Sequence, residues 1–447
     1  MRVKSKLEFP AAAALLLGAL CLSPALAENA RLNQLVSADE PRLVEIFKKL
    51  HANPELSMQE TETAALVAKE LKANGFEVQT GIGKTGVVGI MKNGPGPVIM
   101  FRADMDALPL KEESGLPYAS SKTGTTLDGL KSSIAHVCGH DAHVTWLIGV
   151  AKVMAAQKGN WSGTLILVGQ PAEEAYNGAQ GMVKDGLYKN TPEPSVIFAA
   201  HTNPVWPAGA VGMGQGRRMA GADGLNVTLK GIGGHGSTPH ASIDPIVMAA
   251  QAIMAYQTII SRRIDQTEPV VLTVGAIQSG TVGNIIPDSV TMRLSIRWYS
   301  ASARDQIITM VKQMTDAIAT GSGVPKDRMP EYENTSSITP VINDDGLVAA
   351  MRPVLEQTLG KEKVYPGVPM QMGSEDFQML GDPIKHVKLL HMEVGVAKPE
   401  VVKGFLEKGT MPPYMNHHPK FQVELPAIAA GVKANAAVLL ELLKKTP

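Results

Sequence analysis

Four short runs constrain the fold of this chain more than any other feature: Gly86-Val-Val-Gly-Ile-Met91, Pro97-Val-Ile-Met-Phe-Arg102, Gly163-Thr-Leu-Ile-Leu-Val-Gly169 and Ser195-Val-Ile-Phe-Ala-Ala200. They are almost wholly apolar and lack the polar alternation of a strand with one wet face. Strands buried on both faces need helices packed on both sides. Leu43 to Leu50, Glu60 to Asn74 and Thr145 to Ala156 have helical apolar spacing, and Gly75 sits where a C′ glycine would close the second. The expected fold class is therefore α/β, a mostly parallel sheet with helices on both faces. Such sheets bind ligands off the carboxyl ends of their strands. Asp104 and Asp106, Gln170-Pro-Ala-Glu-Glu174 and His201 all fall at those ends.

The pattern changes near residue 217. Leu225 to Lys230, Pro269 to Ala276 and Ser289 to Tyr299 read as strands, and Pro245 to Ile260 and Arg304 to Thr320 as helices. The third strand alternates, with Val290, Met292, Leu294, Ile296 and Trp298 on one face and Thr291, Arg293, Ser295, Arg297 and Tyr299 on the other. An inserted smaller α+β domain at 217–335 is expected, splitting the first domain into 28–216 and 336–447.

With 447 residues, 44% of them hydrophobic, the chain can hold two or three domains at roughly 150 residues each. Acidic and basic side chains balance at 42 each, so nothing points to nucleic acid or an anionic membrane surface. Residues 1–27 read as a secretory signal. Arg2, Lys4 and Lys6 form a basic start, Ala11 to Leu22 is an apolar run too short to span a bilayer, and Ala25-Leu26-Ala27 fits the small-x-small cleavage rule. Gly18-Ala19-Leu20 before Cys21 matches a lipoprotein signal poorly. No later segment is long and apolar enough to span. The expectation is an exported protein, periplasmic in a Gram-negative host and otherwise secreted, with no membrane contact after signal removal.

Beyond that signal Cys138 is the one cysteine, within His136-Val-Cys-Gly-His-Asp-Ala-His143. A lone thiol among histidines is poorly explained as a disulfide and well explained as a metal ligand or a nucleophile. Eight of the eleven histidines fall at 136/140/143, 201, 235/240 and 417/418, leaving His51, His386 and His391 as ordinary polar side chains. Clustered Cys and His with a carboxylate favour a metal site. Cys138 and His140, two apart on a glycine-containing loop, can turn toward one point, and a thiolate can touch two metals. A cysteine nucleophile with His140 or His143 as base needs no metal, but leaves Glu173 and Glu174 unexplained. Those adjacent carboxylates can divide labour, one holding a cation while the other takes a proton from water.

Phe101-Arg-Ala-Asp-Met-Asp-Ala-Leu-Pro109, the 136–143 cluster, Gln170-Pro-Ala-Glu-Glu174, Gly233-Gly-His-Gly-Ser-Thr-Pro-His240, Gly283-Asn-Ile-Ile-Pro-Asp288, Met372-Gly-Ser-Glu-Asp-Phe377 and Asn416-His-His-Pro419 together resemble one family. It is the metal-dependent amidohydrolases that include hippurate hydrolases, N-acyl-amino-acid aminoacylases and plant indole-acetyl-amino-acid hydrolases. They are relatives of carboxypeptidase G-type and succinyl-diaminopimelate desuccinylase enzymes. The motifs run in family order from about residue 40 to the carboxyl terminus.

The resemblance implies a di-metal exopeptidase-like catalytic domain. Its ligands would be Cys138, His140, Glu174, His201 and one histidine of the 417/418 pair. The family's His-x-Pro pattern points to His417, with His418 leaving the choice open. Glu173 matches the general base and Asp106 an aspartate that supports a ligand. Asp104 stands where related carboxypeptidases carry a ligand histidine. His235 matches an oxyanion-stabilising residue of the smaller domain, often supplied across a dimer, so the resemblance leaves a homodimer or higher oligomer open. Asn284 and Arg297 match groups for the substrate carbonyl and carboxylate, and His240 falls with them as substrate-binding. His136 and His143 become supporting residues.

The implied reaction is hydrolysis of the amide bond of small N-acyl or N-aroyl amino acids by metal-activated water, with Glu173 as base. A metallo-dipeptidase or carboxypeptidase acting on short peptides is the alternative on the same site. Two divalent cations are implied. A thiolate and three imidazoles suit zinc, nickel or cobalt, and the resemblance adds manganese. The smaller domain is expected to act as a lid and dimerisation domain.

Overall fold

The computed structural model describes residues 24–445, with side chains from residue 29. The expected signal at 1–27 lies outside the described residues except for its last four, which open helix α1 (Pro24–Ala52). Next come α2 (Thr61–Ala73), β1 (Glu77–Ile82), β2 (Gly86–Asn93), β3 (Val98–Asp104), α3 (His140–Ala156), β4 (Gly163–Gln170), α4 (Gly178–Lys184), β5 (Val196–Pro207) and β6 (Val211–Gly212). A second block holds β7 (Gly221–Lys230), α5 (Pro245–Arg262), β8 (Val271–Gln278), β9 (Ser289–Trp298), α6 (Ala301–Gly321) and β10 (Glu331–Ile338). The chain then forms α7 (Asp345–Leu359), β11 (Val364–Tyr365), β12 (Lys388–Ala397), α8 (Pro399–Lys408) and α9 (Pro426–Leu442).

The first block and the last share one eight-stranded sheet of order β1-β2-β4-β3-β5-β12-β6-β11. Its centre is parallel from β4 through β3 and β5 to β12, whereas β1/β2, β2/β4 and β12/β6 are antiparallel. The unbroken apolar runs bury both faces. Val87, Ile99, Phe101, Leu165, Leu167 and Phe198 enter a core with α1, α2, α3, α7 and α9. Val88, Met100, Ile166, Val168 and Ile197 enter a second core with α4 and the turn at Phe377. Each such side chain stabilises the fold by about 1.5–3 kcal/mol on burial, so the α/β class follows from these runs.

Strands β8-β9-β7-β10 make a separate, fully antiparallel sheet. Val290, Met292, Leu294, Ile296 and Trp298 of β9 pack there against α5 and α6 in their own core.

Two of the element boundaries that differ from the sequence expectation matter for chemistry. The apolar run ends at Ala200, yet β5 continues to Pro207, so His201 and Asn203 lie within a strand. Helix spacing is visible only from Thr145, yet α3 begins at His140. Gly139 precedes it at φ +92°, and a Cβ there would come 2.6 Å from the Thr202 side chain. Only glycine accepts both that backbone and that approach. The chain therefore turns straight from Cys138 into the helix, and His140 occupies its first turn.

Candidate metal centre

Five donors face one another at the carboxyl side of the parallel strands. Cys138 Sγ lies 3.5 Å from His201 Nε2 and 3.3 Å from His417 Nε2. Glu174 Oε1 lies 3.2 Å from His417 Nε2 and 3.8 Å from His140 Nε2. His140 Nδ1 donates to the Asp106 carbonyl at 2.8 Å, and His201 Nδ1 to the Thr202 carbonyl at 2.9 Å. Those bonds fix the tautomers and leave both Nε2 lone pairs pointing inward. His140 Nε2 and Glu174 Oε1 are buried with no hydrogen-bond partner. Buried acceptors left unpaired are costly, and a divalent cation would satisfy both together with the thiolate. The residues therefore fit a metal. His417, not His418, joins this group; His418 is exposed and accepts from the Lys420 amide at 3.1 Å.

The backbone around the cluster is strained. Ala172, Tyr176 and His417 have φ of +49°, +51° and +68°, a conformation costing non-glycine residues about 1–3 kcal/mol each. Partners hold two of them in place. The Ala172 amide donates to Glu60 at 2.8 Å and the His417 amide to the Val137 carbonyl at 2.7 Å.

A carboxylate layer supports the donors. Asp106 accepts the amides of Glu173 and Glu174, both at 3.1 Å, and the Ser57 hydroxyl at 2.6 Å. One side chain thus orients both glutamates, and its backbone carbonyl orients His140. Asp104 accepts from His143 Nδ1 at 2.6 Å and Arg102 at 2.7 Å. The Thr202 amide donates to His143 Nε2 at 2.9 Å, which occupies the second ring nitrogen. Burial pushes His136 down to about 4, so it is neutral. Arg102, almost fully buried, also donates to Gln170 at 2.8 Å, Glu375 at 2.7 Å and Asp376 at 3.1 Å. Glu173 is buried beside this group. Burial, then the charges of Glu375 and Glu174, hold its carboxyl well above the ordinary range, against the opposing pull of His140.

The other sequence-nominated residues separate into two sets. Arg297 lies behind the cavity wall: its guanidinium donates to Ser374 and, at 3.4 Å, to the Tyr176 hydroxyl, and both of those line the cavity. His235, His240 and Asn284 do not. All three are exposed, with His235 and Asn284 at the small ribbon formed by Gly234–His235 and Ile285–Ile286, and none lines the cavity.

Two histidines that look ordinary in the sequence are not. His391 is buried in the cavity wall with neither ring nitrogen hydrogen-bonded. His51 is buried between Asp141 at 2.6 Å and Glu112 at 3.0 Å. Burial alone would lower His51, but hydrogen bonds to these acids and their charges outweigh it and raise it to about 10. Its stabilising contribution is complete below the ordinary imidazole range and disappears as pH rises through about 10. Replacing His51 with Gln leaves two buried acids without a cation, and a loss of about 3–5 kcal/mol is expected at pH 7. Urea unfolding of both proteins at pH 7 and at pH 10.5 checks this: the gap must narrow at the higher pH, and a constant gap refutes the charged pair.

Comparison with known proteins shows the family. Residues 100–441 match the family model described as peptidase family M20/M25/M40. The chain is 37% identical to the hippurate hydrolase of Campylobacter jejuni over 335 residues, 74% of this chain and 83% of that protein. It is 31% identical to IAA-amino acid hydrolase ILR1-like 2 of Arabidopsis thaliana, over 90% of this chain and 85% of that one. The crystal structure of the Bacillus subtilis YXEP protein, described as a dinuclear metal binding peptidase from the M20 family, superposes with a TM-score of 0.73 at 27% identity, covering 91% of this chain and 99% of that chain. The chain belongs to peptidase family M20/M25/M40 and is a metal-dependent hydrolase.

Proposed function

We propose that the protein is an exported amidohydrolase that cleaves the amide bond of N-acyl or N-aroyl amino acids. The converging donors with a second buried carboxylate, Glu173, on a cavity of ≈ 510 Å³ support this most directly. Cys138, His140 and His201 would hold one divalent ion and Cys138, Glu174 and His417 another; zinc, manganese, nickel or cobalt suits the donors. Bound ions would supply Lewis-acid polarisation of the amide carbonyl and a water of lowered pKa. Glu173 takes the proton of the attacking water and returns it to the departing amine. Ser374 and Tyr176 hold the Arg297 guanidinium beside the cavity, where it pairs with the free carboxylate of the amino-acid half. Asp106 keeps the two glutamates in their separate roles.

Residues 217–335 act as lid and dimerisation domain in this proposal. His235, His240 and Asn284 would reach the substrate by closure of that domain or from a second copy, with His235 stabilising the oxyanion. The names of the two enzyme relatives, hippurate hydrolase and IAA-amino acid hydrolase, favour N-acyl amino acids. Cleavage of short peptides on the same donors is the second reading, favoured by the thermostable carboxypeptidase 2 of Saccharolobus solfataricus, 31% identical over 93% of this chain. Export rests on the basic start, apolar run and Ala25-Leu26-Ala27, and predicts a mature chain beginning at Glu28.

A panel of N-acetyl and N-benzoyl amino acids and dipeptides tests the assignment. Turnover of N-acyl amino acids should fall at least about a hundredfold on chelation and return with added divalent metal. His235→Ala should lower kcat about 10²-fold. Activity indifferent to chelation, or confined to dipeptides, overturns the assignment.

A further inference from the structure

Glu60 is a buried acid that no step of the hydrolysis uses. It is wholly buried, lines no part of the cavity and, among the described residues, makes no ion pair. It stands at the start of α2, yet its side chain makes no capping bond to that helix. A carboxylate taken out of water without a cation is costly, so its partners show what it serves.

One oxygen, Oε1, accepts the amide of Met58 at 2.9 Å and the amide of Ala172 at 2.8 Å. Both donors belong to non-glycine residues in the left-handed region, at φ +63° and +49°. The other oxygen accepts the Thr85 hydroxyl, just before β2. Non-glycine residues keep such a backbone only where their surroundings impose it. A single carboxylate oxygen therefore braces two strained turns at once.

Both turns lead to Asp106. Ser57 precedes Met58, and its hydroxyl donates to Asp106 at 2.6 Å. Ala172 precedes Glu173 and Glu174, whose amides both donate to Asp106 at 3.1 Å. The second turn is tightly closed. The Gly178 amide returns to the Ala172 carbonyl at 3.2 Å, and the Tyr176 amide to the Glu173 carbonyl at 2.8 Å. A Cβ on Gly178 would lie 1.6 Å from the Pro171 carbonyl oxygen. The loop that carries both glutamates thus has little slack, and a change in the Ala172 backbone must move them.

We propose that Glu60 is a positioning residue for the hydrolysis. It holds Met58 and Ala172 in the left-handed conformation, and so fixes Glu173 as base and Glu174 as metal donor. A misplacement of about 1 Å at a reacting group can cost about a hundredfold in rate, so the brace should act on kcat. This rests on the roles given above to Glu173 and Glu174, and not on which amide is cleaved.

The test is a rescue cycle on the metal-loaded enzyme, with whichever substrate of the panel the wild type cleaves fastest. Glu60→Ala should lower kcat by about tenfold to a hundredfold, with KM within about threefold of wild type. Glu60→Gln should keep at least about a third of wild-type kcat, because its oxygen still accepts both amides and the Thr85 hydroxyl can turn to accept from the new amide group. The decisive variant adds Ala172→Gly to Glu60→Ala. Glycine adopts a positive φ without steric cost, so the turn no longer needs its brace, and kcat should recover at least about fivefold. A residue that only anchored α2 would gain nothing from glycine at 172. If Glu60→Ala does not fold, Glu60→Asp, too short to reach both amides, takes its place in the cycle. A kcat within about threefold of wild type, or a loss that Ala172→Gly does not lessen, overturns the brace. Glu173→Gln, run in parallel, separates this from the assignment beneath it. Full activity there overturns the role of Glu173, whereas an inactive Glu173→Gln beside a fully active Glu60→Ala overturns Glu60 alone.

Discussion

Glu173→Gln should lower kcat by about 10²–10⁴-fold while metal content stays at the wild-type level. Gln keeps the size and one acceptor oxygen but cannot take a proton. The Glu173 amide bond to Asp106 is a backbone contact, so the loop keeps its position. The five donors do not include Glu173, so metal affinity should hold. Stability should hold or rise. Glu173 is buried among Glu375 and Glu174, whose charges oppose its ionisation, and a neutral amide removes that repulsion. Three measurements decide the matter: kcat on the best N-acyl amino acid, metal per chain by elemental analysis, and the thermal midpoint. A variant retaining more than a tenth of wild-type kcat would show that another group carries the proton. A variant that loses metal would make Glu173 a ligand.

Arg102→Leu should have the largest effect on folding. The guanidinium, 2% exposed, faces the carboxylates of Asp104, Glu375 and Asp376. Removing it leaves three buried acids without their cation, a loss of about 3–5 kcal/mol or more. Burial already raises Asp376 to about 7 even with Arg102 present. Without the guanidinium the carboxyls take up protons more readily, so the deficit should shrink as pH falls from 8 to 6. Arg102→Lys keeps a charge but not the planar fork that serves several partners, and should fall between the two. Urea unfolding across that pH range provides the readout. A Leu variant within about 0.5 kcal/mol of wild type at pH 8, as surface changes usually are, refutes the role.

Which parts of this molecule are legible in the sequence follows from distance along the chain. The parallel sheet is legible because a strand buried on both faces must be apolar at every position, as 98–101 and 165–168 are. The cluster at 136–143 is legible because its residues are adjacent. His201 is legible because it ends an apolar run. Arg102 is different, since its partners Glu375 and Asp376 lie 273 and 274 residues away. The Met372–Phe377 motif is visible in the sequence, but nothing local says that its acids face a buried arginine. His391 gives no signal at all, because an isolated histidine looks like any polar residue. Only the pairing of β12 with β5 sets it beside His201. The start of α3 is obscured for a local reason, because Gly139, His140 and Asp141 look like a loop when helix spacing is the only guide.

The order of strands in the large sheet has a consequence for synthesis. β5 is complete at Pro207, but its neighbour β12 begins at Lys388. While the ribosome makes the intervening residues, the second sheet can form within them, but the edge of β5 stays open. An open, apolar strand edge is a template for pairing with another chain, and closure across such a long separation is slow. The nascent polypeptide is therefore most prone to aggregate late in translation, and fragments ending before residue 388 should be insoluble even when they contain every strand that precedes β12.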